Sequence, residues 1–170
     1  VEYIFWLVKD PMVKADNRKV LQPYSEDMKR LIKRGVKQTV RPSGHVINGS
    51  FASDQGGSIP SNLIQCGNNE SNSDYIKNSK LAGNKVHPAR FPSELPRFFI
   101  EFLTNPGDVI LDPFAGSNTS GYVAEGLKRK WMGVEIRNDY AEESRLRFES
   151  PTKNIIIAQR QYSLPLDANC

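Results

Sequence analysis

The chain has 170 residues, of which 38% are hydrophobic and 25% are charged, and its formal net charge is +4. This size and balance predict one globular domain with its own core, and the positive charge favours a polyanionic partner. Two cysteines and two histidines exclude a disulfide framework and a multi-histidine metal site, so no metal is expected. Without a secretory signal or an apolar run of ~20 residues, we expect a cytoplasmic protein that does not enter a membrane.

The first element is an apolar run, Tyr3-Ile4-Phe5-Trp6-Leu7-Val8, which ends at Lys9-Asp10-Pro11. A continuous run of this kind is typical of a strand that is buried on both faces. Its aromatic rings are expected in the core rather than stacked on bases. We therefore predict a strand at residues 3–8 and assign residues 1–11 to a sheet.

Residues 12–86 have a different character. Ser25 is a suitable N-cap for a short helix that Gly35 ends, with acids in its first turn and bases in its last. The basic residues of this helix fit both a solvated helix end and a phosphate contact; they are Lys29, Arg30, Lys33 and Arg34. From residue 40 to residue 86, Gly, Ser and Asn dominate with little hydrophobic periodicity, which indicates either a polar loop or a functional insertion.

A helix, a strand, a tight turn and a second helix are predicted between residues 95 and 126. A helix is predicted from Leu95 to Leu103 with Ser93 as its N-cap, and its apolar face carries four large side chains. Val109-Ile110-Leu111 then forms a short strand that ends at Asp112. After a tight turn, the next helix is expected from Asn118 to Gly126.

The remaining elements are predicted from apolar patterns. A strand is expected at residues 130–134, an amphipathic helix at 138–148 and a further strand at 154–158. The tail at residues 160–170 is polar and is expected to fray.

The turn after Asp112 has the features of a nucleotide-binding unit. Gly116 permits a close backbone approach, the helix start offers free N–H groups, and Glu135 follows about 20 residues later, where such folds hold a ribose. Neither a Walker loop nor G-x-G-x-x-G is present, and Asp112 would repel a pyrophosphate but suit a cationic ammonium group. An ordinary strand–helix–strand unit without a ligand is the alternative.

Asp112-Pro113-Phe114-Ala115-Gly116-Ser117 resembles the D-P-F-x-G-[ST] motif of the amino-methylating DNA methyltransferases. His87-Pro88-Ala89-Arg90-Phe91-Pro92 resembles the motif that precedes it in the permuted, beta-type subgroup. The resemblance implies S-adenosylmethionine as cofactor, with Glu135 on the ribose and Ile136 on the adenine. Carried over residue by residue, it implies these cofactor-binding residues: His87, Pro88, Phe91, Pro92, Asp112, Pro113, Phe114, Gly116, Ser117, Asn118, Thr119, Glu135 and Ile136.

Two stretches of the polar insertion, residues 41–45 and 56–63, resemble the PvuII-type N4-cytosine modification methylases. That resemblance implies a target-recognition region at residues 12–86, double-stranded DNA as partner and CAGCTG as the leading target. Side chains of these types read base edges and phosphates. The expected DNA contacts are Arg41, Ser43, His45, Ser53, Gln55 and Ser58.

The family's catalytic motif, [SD]-P-P-[FYW], is absent because the chain contains no Pro-Pro pair. We therefore interpret the chain as the carboxyl-terminal half of a methyltransferase and expect no catalytic residue in it. The implied fold is α/β, a partial Rossmann-like sheet with an irregular insertion, and residues 87–159 form its cofactor-binding part.

With part of the sheet missing, we expect either a homo-oligomer or a second polypeptide that carries the catalytic half. The alternative function is a non-catalytic fragment of a truncated gene that binds DNA or S-adenosylmethionine.

Overall fold

The structure, a computed structural model, describes residues 2–12, 15–47, 49–67, 73–81, 83 and 90–148. The helices, in chain order, are α1 (Glu26–Arg34), α2 (Asp74–Leu81), α3 (Glu94–Leu103), α4 (Thr119–Gly126) and α5 (Asn138–Ser144). The strands are β1 (Thr39–Val40), β2 (Val46–Ile47), β3 (Val109–Asp112) and β4 (Lys130–Gly133). Short 3₁₀ helices occur at Asn17–Val20, Gly49–Ala52 and Arg145–Arg147. The predicted strand at 154–158 and the tail at 160–170 lie outside the described residues.

Strands β3 and β4 form a parallel pair, joined through the crossover helix α4. Ile100, Val123 and Ala124 are buried together in the core that α3 and α4 build beside this pair, and Ile110 and Trp131 pack against them from the strands. This is the predicted strand–turn–helix–strand arrangement, with element ends within one residue of those expected. The α/β fold class, with a small parallel sheet, is confirmed.

The opposite face of the β3–β4 pair is uncovered among the described residues. Side chains alternate along a strand, so the neighbours of Ile110 point away from the core. Val109, Leu111, Met132 and Val134 are accordingly all more than half exposed. Parallel sheets usually carry cover on both faces, so this exposed apolar surface is unusual for such a pair.

The predicted strand at residues 3–8 is wrong. Residues 2–12 form no strand, and their large apolar side chains are exposed. Trp6 makes an edge contact with the ring of Phe102, with 5.5 Å between the ring centroids. A strand needs a neighbouring strand for its N–H and C=O groups. In the described chain β3 and β4 pair with each other, and no strand flanks residues 3–8.

The segment after residue 15 is joined to the end of α3 by a few polar contacts. The Asp16 N–H donates to Phe102 O over 3.0 Å, and Lys19 Nζ donates to Thr104 O over 3.0 Å. The Asp16 carboxylate caps the first 3₁₀ helix and accepts two side-chain hydrogen bonds from Arg18. These bonds lower the pKa of Asp16 to about 2.

Helix α1 begins and ends as predicted. Ser25 Oγ accepts a hydrogen bond from the Met28 N–H over 3.2 Å, and the Gly35 N–H donates to Leu31 O. Gly35 has a φ of +75°, which favours glycine at this position. Ser93 was expected to cap α3 in the same way, but it already has helical dihedrals and makes no capping bond. That N-cap prediction is wrong.

The polar insertion contains more regular structure than its sequence predicts. Strands β1 and β2 form an antiparallel hairpin, and α2 buries Tyr75 and Ile76. Two-residue strands are too short to produce a periodic pattern, and two adjacent apolar residues do not define a helical face.

The last described helix is shorter than predicted. Helix α5 ends at Ser144, and a 3₁₀ turn follows it, whereas the sequence predicted a helix over residues 138–148. None of the helices in the described part of the chain is long and apolar enough to cross a membrane.

Candidate functional site

The turn between β3 and α4 is held at the carboxyl end of the parallel pair by hydrogen bonds. Asp112 Oδ1 accepts a hydrogen bond from the Phe114 N–H over 3.0 Å, so the carboxylate stabilises the start of the turn. The Ala115 N–H donates to Val134 O over 2.9 Å, and the Val134 N–H donates to Asp112 O over 2.8 Å. The turn therefore lies at the edge where open α/β sheets bind ligands.

Glu135 reaches this turn from the end of β4. Its Oε2 accepts a hydrogen bond from the Gly116 N–H over 2.8 Å, and its Oε1 accepts from the Arg137 N–H over 3.0 Å. Gly116 has a φ of +50°, which glycine adopts without strain. The structure thus brings together Asp112, Gly116 and Glu135, as the sequence predicted.

Helix α4 starts from a left-handed residue. Asn118, with a φ of +55°, accepts a hydrogen bond on Oδ1 from the Gly121 N–H over 3.1 Å. A Cβ on Gly121 would overlap the Asn118 side chain and would lie 2.8 Å from Trp131 Cε3. Gly121 is therefore required by close packing rather than by its dihedral angles.

Two apolar side chains are exposed to solvent beside the carboxylates of Asp112 and Glu135. Phe114 is 88% exposed and Ile136 is 96% exposed, whereas Asp112 and Glu135 are half-buried. An apolar surface next to oriented carboxylates can receive a molecule that combines a flat ring with hydroxyl and ammonium groups. The residues present therefore fit S-adenosylmethionine, whose parts match these groups.

The segment after Glu135 is fixed by an ion pair. Arg137 Nη2 lies 2.6 Å from Asp139 Oδ2, and its guanidinium lies 4.4 Å from the centre of the Tyr140 ring. The hydrogen bond from Arg137 lowers the pKa of Asp139 and raises the pKa of Arg137. Because the Arg137 N–H also donates to Glu135, this pair helps to orient the Glu135 carboxylate.

Three predicted cofactor residues have side chains that face the protein interior. Ser117, Asn118 and Thr119 are all buried, and Ser117 Oγ lies 3.4 Å from Thr119 Oγ1. Arg147, which sequence reasoning did not identify, donates from Nε to Ser117 O over 2.6 Å and from Nη2 to Ser117 Oγ over 3.0 Å. No local motif indicates this arginine, because it lies 30 residues beyond the serine it holds.

The other predicted cofactor residues give less information. Phe91 is exposed and Pro92 is half-buried, and both precede α3. Pro113 is exposed in the turn itself. His87 and Pro88 lie outside the described residues.

Three of the predicted DNA contacts lie on the β1–β2 hairpin. Arg41 and His45 close its tip, where the Arg41 N–H donates to His45 O and the Gly44 N–H donates to Arg41 O, each over 2.8 Å. Ser43 lies between them, and the side chains of Arg41, Ser43 and His45 are all exposed. The hairpin therefore presents these side chains to solvent, as a surface that contacts DNA requires.

The other three predicted DNA contacts lie on the loop after the hairpin. Ser53 Oγ donates to Ser50 O over 2.8 Å, and the Gln55 N–H donates to Tyr24 Oη over 2.7 Å. Ser58 pairs through its backbone with Gln22 in an isolated bridge. The Ser53 and Gln55 side chains are exposed, whereas Ser58 is half-buried.

A basic surface extends from α1 into the hairpin. Residues 28–53 contain six lysines and arginines and no aspartate or glutamate. All six side chains are exposed: Lys29, Arg30, Lys33, Arg34, Lys37 and Arg41. Lys29 and Arg30 are paired with acids in the first turn of α1, at 2.7 Å and 3.2 Å. This segment carries more positive charge than the net charge of the whole chain.

Comparison with known proteins gives a consistent result. The N6/N4 methyltransferase family, described as DNA methylase, matches residues 1–146. Type II methyltransferase M.PvuII from Proteus hauseri is 50% identical over 151 residues, which span 87% of this chain and 45% of that relative. DNA adenine methyltransferase YhdJ from Escherichia coli (strain K12) is 48% identical over 54 residues, 32% of this chain and 18% of that protein.

Among solved structures, one is of the same PvuII enzyme. The PvuII DNA methyltransferase (cytosine-N4-specific) superposes with a TM-score of 0.53 at 50% identity, over 56% of this chain and 34% of that chain. The M1.HpyAVI–SAM complex is 34% identical over 39% of this chain and 33% of that chain, with a TM-score of 0.36. This chain spans less than half the length of M.PvuII.

Proposed function

Because the chain belongs to the N6/N4 DNA methylase family, we propose that it supplies the cofactor-binding and target-recognition parts of a site-specific N4-cytosine DNA methyltransferase. The methyl group would pass from S-adenosylmethionine to an exocyclic amine of DNA. The observation that carries this proposal is the hydrogen bond from the Gly116 N–H to Glu135, beside the exposed side chains of Phe114 and Ile136.

The residues of the turn divide the work of holding the cofactor. Glu135, oriented by two backbone N–H groups, accepts hydrogen bonds from the ribose hydroxyls. Ile136 packs on the adenine, and Asp112 attracts the ammonium group. When bound, S-adenosylmethionine supplies an electrophilic methyl group. Ser117, Asn118 and Thr119 act through the backbone that their buried side chains hold in shape.

DNA binding is assigned to the basic segment at residues 28–53 and the polar loop that follows it. Six exposed cations without an intervening acid attract the phosphate backbone, while Arg41, Ser43 and His45 extend toward the bases. The resemblance to PvuII-type enzymes makes CAGCTG the proposed target. Enzymes that modify a base take it out of the duplex, and the [SD]-P-P-[FYW] motif that positions its amine would come from outside this chain.

One face of the β3–β4 pair is not covered by any described residue, and it fits a second polypeptide. Val109, Leu111, Met132 and Val134 form an apolar surface of the kind that a parallel sheet normally covers. We propose that the polypeptide bearing the catalytic motif lies on this surface, and that a second copy of the chain can take its place. Sedimentation of the isolated chain at micromolar concentration tests this, since a cooperatively melting monomer would contradict it. We also propose that the protein acts in the cytoplasm, because its proposed partner is DNA.

Cofactor binding is tested by calorimetric titration of the chain with S-adenosylmethionine. Removing an acceptor of charge-assisted hydrogen bonds costs roughly 1.5–3 kcal/mol, so Glu135→Ala should weaken binding about tenfold or more. Glu135→Gln should also weaken binding. Its amide oxygen can still accept a hydrogen bond from the turn, so a loss of affinity in this variant is not explained by collapse of the turn. Glu142→Ala removes an exposed glutamate that pairs with Arg145 and serves as the control. Equal affinity in the wild type and Glu135→Ala would refute the assignment.

DNA binding is tested by its dependence on salt. If Lys33 and Arg34 each neutralise one phosphate, Lys33→Ala/Arg34→Ala should lower the slope of log K against log salt by about 2. Lys77→Ala/Lys80→Ala removes the same charge from α2 and should leave the slope unchanged. A flat salt dependence in the wild type would contradict the electrostatic mode.

Activity separates the enzyme component from a non-catalytic fragment. The chain should methylate duplex DNA only when it is combined with a polypeptide that carries Ser-Pro-Pro-Phe or a related motif. Cofactor and DNA binding without methylation in that mixture would favour the non-catalytic alternative.

A further inference from the structure

Arg147 is a buried cation near the end of the described chain. It contacts the turn between β3 and α4, residues 113–118, which we call the cofactor turn. Only 8% of Arg147 is exposed, and both of its hydrogen bonds to Ser117 use the planar fork of the guanidinium. Ser117 directly follows Gly116, whose N–H is bound to Glu135. Two successive residues of the turn are therefore held by opposite charges from two different elements.

The same guanidinium also contacts the polar insertion. Its Cζ lies 4.4 Å from the centre of the Tyr75 ring, and Tyr75 is buried in α2. A second ring, that of Tyr122 on α4, lies 5.9 Å away. Asn78 Nδ2 on α2 donates to Leu146 O over 3.3 Å, so α2 is attached to the residue beside Arg147 as well. Contacts of this kind orient an arginine because its face and its edge are satisfied by different partners.

We propose that Arg147 is a positioning residue that sets the cofactor turn and that Tyr75 of the insertion sets Arg147. This inference rests on the proposed function, because it assumes that the turn binds S-adenosylmethionine. Its consequence is that a change at Tyr75, on α2, alters cofactor affinity by way of Ser117. An interaction with DNA that moves α2 would then alter cofactor affinity too, and linkage requires the reverse effect to be equal.

The experiment compares cofactor affinity among variants of the full chain by calorimetry. Tyr75→Leu keeps an apolar side chain but removes the ring, and it should weaken S-adenosylmethionine binding about fivefold or more through loss of the cation–π contact. Tyr75→Phe keeps the ring and should restore most of the affinity. Arg147→Lys keeps the charge but not the fork, and it should weaken binding about tenfold.

A buried neighbour separates positioning from general stability. Ile76→Val removes a buried methylene group from α2 and lowers stability without touching the arginine face. It should shift the melting temperature and leave the cofactor dissociation constant unchanged. Equal affinity for wild type and Tyr75→Leu, or an equal loss in Tyr75→Leu and Ile76→Val, would overturn the proposal.

Amide hydrogen exchange of the ligand-free chain gives an independent readout. Exchange at Gly116 and Ser117 should accelerate in Tyr75→Leu and Arg147→Lys but not in Ile76→Val. Unchanged exchange in both variants would overturn the proposal, even if the wild type did not bind cofactor. If the wild type fails to bind S-adenosylmethionine, the proposed function fails. If Glu135→Gln weakens binding but Tyr75→Leu and Arg147→Lys do not, the proposed function stands and only the role of Arg147 is refuted.

Discussion

The strand–helix–strand unit at residues 109–133 and the segment at residues 15–67 use their side chains in opposite ways. In the first, α4 buries Val123 and Ala124 against a core that also contains Ile100. In the second, helix α1 has no buried residue, and the hairpin and the loops around it are mostly exposed. The first region is thus stabilised by packing, whereas the second depends on caps, turns and single hydrogen bonds.

This difference matches the chemistry that each region is proposed to perform. A cofactor turn must keep Gly116 and Glu135 within hydrogen-bonding distance, which packing on one side of β3 and β4 ensures. A surface that follows a phosphate backbone needs exposed cations, and residues 28–53 provide them. We expect substitutions in the first region to change stability and substitutions in the second to change DNA affinity.

The largest effect is expected from an isoleucine-to-alanine substitution in the core that packs against the first region, compared with the same substitution in the second region. Ile100 is 6% exposed, and Ile100→Ala should lower the free energy of unfolding by about 2–5 kcal/mol because it leaves a cavity. Ile59 is 67% exposed, and Ile59→Ala should change it by less than about 0.5 kcal/mol. Urea denaturation measures both values. Similar losses at the two positions would show that the segment at 15–67 contributes to the same core.

A smaller effect is expected from adding one methyl group to α4. The Cβ of Gly121→Ala would collide with Asn118 and Trp131, so overpacking should destabilise the chain by about 1–3 kcal/mol. Gly126 ends the same helix with no atom within 4 Å of an added Cβ. Gly126→Ala should therefore be neutral or stabilising, by up to about 1 kcal/mol. Melting curves of the two variants test this difference. Equal shifts in melting temperature would mean that Asn118 and Trp131 can move to accommodate the added methyl group.

The features that could be predicted from the sequence are those whose determinants lie close together along the chain. The turn was predictable because its determinants lie within a few residues: an apolar strand, Asp112, Gly116 and the start of a helix at Asn118. Glu135 was predictable because a crossover helix fixes its distance along the chain. Both regions follow the same rule, since the cap at Ser25 was also identified from neighbouring residues.

Two of the failures concern contacts between distant residues. The apolar run at residues 3–8 predicts a strand, but a strand forms only where a neighbour offers hydrogen bonds, and the described chain provides none there. Arg147 was missed because its partners, Ser117 and Tyr75, are far from it in sequence and nothing around it forms a motif. Tyr75 was hidden in a segment that carries no periodic pattern.

The smallest effect is expected at the start of α1, where the second region depends on a single side-chain bond. Ser25→Ala removes the acceptor for the Met28 N–H and should cost about 1 kcal/mol of helix stability. Because α1 buries no residue, that loss should appear as fraying of residues 26–34 rather than as a lower melting temperature of the core. Amide exchange at Met28 and its neighbours measures the fraying directly. Ser25→Asn restores an oxygen at the same position and should recover the protection, since Asn is as good an N-cap as Ser. Loss of core protection at Val123 in Ser25→Ala would mean that the two regions fold as one cooperative unit, and the contrast between them would then hold for burial but not for stability.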